Sequence, residues 1–152
     1  MIGAGNLATN LAKALYRKGF RIVQVYSRTE ESARELAQKV EAEYTTDLAE
    51  VNPYAKLYIV SLKDSAFAEL LQGIVEGKRE EALMVHTAGS IPMNVWEGHV
   101  PHYGVFYPMQ TFSKQREVDF KEIPFFIELL RQKMPRFLKA IASTLSNRVY
   151  DA

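Results

Sequence analysis

The chain begins MIGAGNLATNLAKAL, with Gly3, Gly5 and Ala8 spaced as G-x-G-x-x-A. No other feature constrains the fold as much, because the pattern has meaning in one context only. A strand must lead into the first glycine and a helix must leave the loop, so that the first helical amides can meet a pyrophosphate. The helix is legible: Leu7, Leu11, Ala14 and Leu15 recur at helical spacing over residues 6–18, and Gly19 ends them. The strand is not, since Met1 and Ile2 alone precede Gly3. The pattern predicts a tight turn at Gly3, beside Ala4, and a bare backbone at Gly5 for the phosphates. It predicts close helix–sheet packing at Ala8, and amides offered to an anion at Asn6 and Leu7. The alternative is a glycine-rich turn that binds nothing. A two-residue first strand would leave the middle of a parallel sheet mostly unfilled and its neighbours unpaired. A few apolar residues upstream of Met1 are therefore expected in the natural chain.

The residues after the loop supply its context. Residues 21–27, RIVQVYS, alternate as a strand. Thr29 is placed to cap the next helix, with Glu30 and Glu31 in its first turn. AEYTT reads as a short strand, and residues 47–51 as a turn or two of helix stopped by Asn52-Pro53. AKLYIVSL is apolar enough for a strand buried on both faces. Asp64 is expected to cap a helix carrying Phe67, Leu70 and Leu71. Residues 82–87 give another strand, ending at Ala88-Gly89, and IPMNVW a short helical piece with Pro92 at its start. HYGVFYP and IPFFIEL are further strands, Pro135 opens a last helix, and Val149 and Tyr150 begin a final strand. Strands alternating with helices predict an α/β domain over residues 1–152. It is a doubly wound, mostly parallel, Rossmann-type sheet with helices on both faces. RVYDA stops just after that strand begins, so the natural chain is expected to continue there too.

In such a sheet the ligand lies beyond the carboxyl ends of the strands, where the strand order reverses. The second strand ends YSRT, about 20 residues past the glycines, where the ribose-reading residue belongs. An NAD site usually has Asp or Glu there. This chain has Ser27, Arg28 and Thr29: a fixed cation able to pair with a 2′-phosphate, flanked by two hydroxyls. NADP(H) is therefore expected over NAD(H), and the missing acid argues more strongly than the arginine, which can also be read as a solvated loop charge. Ser61, Leu62 and Lys63 follow the fourth strand and are expected over the cofactor, Lys63 either on a phosphate or exposed beside Asp64. Thr87, Ala88 and Gly89 follow the next strand, small enough for a flat nicotinamide ring to come close. His86 is either a proton donor or a buried histidine bonded to a backbone carbonyl. His99-x-x-His102 holds Pro101 and has no carboxylate cluster beside it, so no metal site is expected. Trp96 and the aromatics of YGVFYPMQTF read as core and wall.

Composition removes several function classes. Lys and Arg number 19 against 18 Asp and Glu, so charge gives no reason to expect nucleic acid or an acidic membrane as partner. The absence of cysteine excludes disulfides, thiol catalysis and cysteine zinc sites. No apolar run is long enough to cross a membrane and no signal-peptide pattern is present, so a cytoplasmic setting is expected. No P-loop, Ser-His-Asp set or carboxylate pair is legible, which leaves the catalytic residues unassigned.

Taken together, IGAGNLATNLAKAL, VYSRTEESARELA, VSLKDSA, HTAGSIP and GVFYPMQTFSK resemble the N-terminal domain of a group of NADP oxidoreductases. Those proteins join a Rossmann-like domain to a C-terminal domain of unknown function. They are similar in plan to pyrroline-5-carboxylate reductases, 6-phosphogluconate and β-hydroxyacid dehydrogenases, and deazaflavin-dependent NADP oxidoreductases. GVFYPMQTFS is the most specific element, and ELLRQKMPRF has no clear match. The resemblance implies NADP(H) on the glycine loop, on residues 27–29, and on residues 61–63 and 87–89. It also implies hydride transfer to a small C=N or C=O substrate. That substrate, unidentified, would be held by a helical C-terminal domain, absent here, which also forms a homodimer. A non-catalytic dinucleotide-binding or redox-sensing module is the alternative.

Overall fold

The computed structural model describes residues 1–110, 118–129 and 135–151. Residues 111–114 of GVFYPMQTFSK and residues 130–134 of ELLRQKMPRF lie outside them. Short apolar runs, buried on both faces, make the central strands: all four residues of Leu83–His86 are buried. In chain order the elements are α1 (Asn6–Arg17), β1 (Gln24–Tyr26), α2 (Glu30–Lys39), β2 (Glu43–Thr45), β3 (Leu57–Val60), α3 (Asp64–Val75), β4 (Leu83–His86), β5 (Tyr103–Pro108), β6 (Phe125–Leu129), α4 (Pro135–Leu145) and β7 (Val149–Asp151). Short 3-10 turns occur at Leu48–Glu50, Met93–Trp96 and Phe120–Glu122.

β1 and β2 pair in parallel, and β3 to β7 form a five-stranded sheet in sequence order. Ile2 closes the seam, bridging Tyr26 on one side and Val60 on the other, parallel to both. Its N–H donates to Ile59 O at 2.8 Å and its carbonyl accepts from Ser61 N–H at 2.8 Å. Towards β1, Tyr26 N–H donates to Met1 O at 3.0 Å, Gly3 N–H to Tyr26 O at 2.8 Å, and the Met1 amine to Gln24 O at 3.0 Å. Three residues thus serve as the upper end of the central strand. Below them an apolar groove of about 360 Å³ runs between residues 20–24 and 54–59, floored by Leu15 and Ile141. The expectation of an unfilled middle holds for this lower half only. It also explains why β1 starts at Gln24 rather than at residue 21, for residues 21–23 have no partner on the Met1 side.

All pairings are parallel except β5–β6, so β6 and β7 run together, opposite to the strands before them. One face carries α1, α2 and α4: Leu11, Leu15, Leu138, Ile141 and Leu145 pack on Ile59, Leu83, Val85, Phe106 and Phe125, and Leu36 of α2 meets Val25 and Ala12. The other face carries α3, whose Phe67, Leu71 and Ile74 pack on Tyr58, Val60, Met84 and Trp96. Trp96, Tyr103 and Phe106 are core residues, as expected. Gly19, at φ +92°, stops α1 with its N–H on Tyr16 O while Phe20 N–H returns to Leu15 O.

Candidate functional site

The strand order reverses at Ile2, and the loops leaving β1, β3 and β4 flank the one leaving Ile2. Ile2 is level with Tyr26 and Val60, and Val60 with His86. Gly3, Ser27, Ser61 and Thr87, the next residue in each case, therefore stand side by side along one edge of the sheet. The four stretches expected at the site are brought together along one sheet edge at the switch point.

The two glycines have different tasks. Gly3 has φ +121°, and a Cβ there would lie 2.1 Å from the Ser61 carbonyl oxygen and 3.5 Å from Leu62 Cδ2. The turn at Gly3 is thus wedged against the backbone leaving β3, where no side chain fits. Gly5 has φ −76° and is the N-cap of α1, with no side-chain cap. Nothing lies within 4 Å of the place its Cβ would take, and the residue is exposed. The first helical bond runs from Thr9 N–H to Gly5 O at 2.9 Å, so the amides of Asn6, Leu7 and Ala8 precede any intrahelical acceptor. A bare backbone, open space and helix-start amides are what a pyrophosphate requires. Ala8 is wholly buried, which lets α1 settle onto the sheet. Sequence reading missed Thr9 and Asn10, polar residues on the buried side of α1. Thr9 Oγ1 donates to Ala4 O at 3.3 Å and Asn10 Nδ2 to Asn6 O at 2.8 Å, which holds the loop's own carbonyls. Two polar residues interrupting an apolar helix face were the available signal.

After β1, Ser27 Oγ accepts from Thr29 N–H at 3.3 Å. Thr29 is the N-cap of α2, as expected, but its hydroxyl makes no cap bond. Arg28 is not simply solvated: Nη2 lies 2.9 Å from Glu69 Oε2 of α3. After β3, Lys63 rather than Asp64 is the N-cap of α3, because the chain is already helical at Asp64. Lys63 is exposed. Asp64 instead accepts from Ser90 Oγ at 3.2 Å, which ties α3 to the loop after β4. In that loop Thr87 is buried, its N–H donating to Val60 O at 3.2 Å. Gly89 lies against the Tyr107 ring, where a Cβ would meet Cε2 at 2.7 Å.

His86 is buried at the end of β4. Nδ1 accepts from Ala88 N–H at 3.3 Å, which leaves the proton on Nε2, and the Pro92 backbone acts on the ring as a hydrogen-bond acceptor. The imidazole packs edge-on to Phe67 and parallel to Trp96. Burial lowers its pKa below the ordinary histidine value, against the opposing influence of Pro92 and Asp64. His86 is therefore a core residue whose surroundings favour its neutral form. His99 is exposed, and among the described residues no group of three or more His, Cys, Asp or Glu could hold a metal ion. Among them, too, no helix is long and apolar enough to cross a membrane.

Residues 1–89 match the family model described as NADP oxidoreductase, coenzyme F420-dependent. Comparison with curated proteins returns no significant match. Among solved structures, the chain is 95% identical to a Bacteroides fragilis protein described as "putative NADP oxidoreductase", with a TM-score of 0.97 over 99% of this chain and 58% of that one. A pyrroline-5-carboxylate reductase from Coxiella burnetii (16% identity, TM-score 0.76, 99% of this chain and 57% of that one) shares the fold. So does an imine reductase from Myxococcus stipitatus solved with NADP+ (17%, 0.77, 99% and 53%). The chain thus spans little more than half the length of each. The matched residues 1–89 hold the glycine loop, YSRT, SLKDSA and the loop after β4, and on that match the chain belongs to the family of coenzyme F420-dependent NADP oxidoreductases.

Proposed function

We propose that this chain is the NADP(H)-binding part of an oxidoreductase that moves a hydride between nicotinamide and a small C=N or C=O substrate. The observation that carries the reading is the contrast between Gly3, packed against Ser61, and Gly5, open beside unpaired helix-start amides. A turn with no ligand has a packing reason for its first glycine but none for its second.

In this reading the amides of Asn6 and Leu7, with Gly5, hold the pyrophosphate, and Ala4 and Ala8 keep the loop and helix close to the sheet. Arg28 pairs with the 2′-phosphate, Ser27 and Thr29 giving hydroxyls beside it. Ser61, Leu62 and Lys63 line the middle of the crevice. Thr87, Ala88 and Gly89 form the small-residue floor at the nicotinamide end. NADP(H), when bound, supplies or takes the hydride. The protein's part is to orient the ring over residues 87–89, on a strand end held from behind by the buried His86, Phe67 and Trp96. The substrate would be held by a helical domain that also forms a homodimer, as in the proteins whose motifs these residues resemble. A deazaflavin belongs beside imines and carbonyls in the acceptor panel, because the family's description names coenzyme F420.

Titration with NADPH and NADH, followed by nicotinamide fluorescence, tests the cofactor assignment. NADPH is expected to bind more tightly, and Arg28→Ala to weaken NADPH alone. Equal or tighter binding of NADH, or an unchanged NADPH affinity in Arg28→Ala, would overturn it. Tight NADPH binding by the full-length protein without turnover on imines, carbonyls or deazaflavin would favour a non-catalytic module instead.

A further inference from the structure

Arg28 leaves β1 and Glu69 stands on the second turn of α3, so their contact crosses the switch point between the strands that flank Ile2. Nη2 to Oε2 is 2.9 Å, and the two residues are 41 apart in sequence. Glu69 is not there for packing: the buried side of α3 is Phe67, Leu71 and Ile74, and the Glu69 side chain is 69% exposed. α3 is tied at its start as well, where Asp64 accepts from Ser90. Both loops that border the crevice are therefore fastened to one helix, each through a carboxylate. Glu30, two residues on from Arg28, is engaged elsewhere, with Arg34 at 3.8 Å and Tyr44 Oη at 3.5 Å.

We propose that Glu69 is a specificity-determining residue, an internal rival of the 2′-phosphate for Arg28. The proposal rests on the assignment of Arg28 to that phosphate. A ribose carrying a 2′-phosphate must displace the carboxylate before it can use the guanidinium. A ribose with a free 2′-hydroxyl leaves the pair intact. Glu69 thus weakens NADP(H) binding while sparing NAD(H), and so narrows the preference that Arg28 creates. The pair is exposed, so the effect is modest: displacing an exposed ion pair is worth about a two- to fivefold change in affinity.

Dissociation constants for NADPH and NADH are measured for the unaltered chain, Glu69→Gln, Arg28→Ala and the double variant. Glu69→Gln keeps the shape and removes the charge. It is expected to tighten NADPH about two- to fivefold, to leave NADH unchanged, and to have no effect once Arg28 is alanine. An unchanged or weaker NADPH affinity in Glu69→Gln, with Arg28→Ala still harmful, would overturn the proposal alone. The same gain in the Arg28→Ala background would also overturn it, since Glu69 would then be repelling phosphate generally. If Arg28→Ala leaves NADPH binding intact, the assignment of Arg28 fails and the proposal fails with it.

Discussion

Substituting the two loop glycines one at a time separates architecture from ligand binding. In Gly3→Ala the new methyl would lie 2.1 Å from the Ser61 carbonyl oxygen, at φ +121°. The obstacle is backbone, so no side chain can swing aside. Residues held in sparsely populated backbone regions cost about 1–3 kcal/mol, and forcing extra carbon into a packed site about 1–3 kcal/mol more. The sum, about 2–6 kcal/mol, is a large part of a domain's whole stability of about 5–15 kcal/mol. At about 2–4 °C per kcal/mol for a chain of this size, Tm falls by roughly 4–24 °C. Gly5→Ala meets nothing within 4 Å and has φ −76°. Alanine is a poorer N-cap than glycine, but it restricts the unfolded chain, and the two effects offset to within about 1 kcal/mol. Its methyl does occupy the space proposed for the pyrophosphate, and NADPH affinity should fall at least about tenfold, equivalent to about 1.4 kcal/mol. Thermal or urea unfolding by circular dichroism reads the first quantity and nicotinamide fluorescence the second. A Gly3→Ala chain within about 1 kcal/mol of the parent would refute the packing argument. A Gly5→Ala chain that binds NADPH normally would refute the phosphate loop.

Two further outcomes concern buried groups. Burial of His86 holds its pKa below the ordinary histidine value. The unfolded chain therefore binds that proton more readily below about pH 6.5, and stability rises with pH there. Urea midpoints should climb as the pH is raised towards about 6.5 and level off above it; a flat profile would refute this. Ser146 is buried, donates to Ile123 O at 2.5 Å and accepts from Arg148 N–H at 3.0 Å, fastening the end of α4 to the segment before β6. Ser146→Ala should cost about 1–3 kcal/mol in urea unfolding, since Ile123 O is left without that donor. A loss below about 0.5 kcal/mol would show that the staple carries little.

The sequence by itself determined the elements and most of the loop chemistry, because these are local matters. The helical recurrence of Leu7, Leu11 and Leu15 makes α1 wherever it is placed, and Gly19 must end it. The apolar runs at 57–60 and 83–86 make buried strands in any parallel sheet. The packed turn at Gly3, the open backbone at Gly5 and the buried Ala8 are what the pattern predicts. Only the tertiary structure decided which groups meet across the chain. Ile2 can serve as a central strand because β1 and β3 present free edges at one level, a fact no window of sequence contains. The antiparallel turn of β6 and the register that levels Ser27 with Ser61 are equally non-local. Arg28 looked like a loop cation waiting for a phosphate, since its partner Glu69 is 41 residues away and on another element. Asp64 looked like a cap; one residue's shift in the start of α3 released its carboxylate to Ser90. Local propensity sets which residues form a strand or a helix start. Long-range packing sets which charge faces which, as the Arg28–Glu69 pair across 41 residues shows.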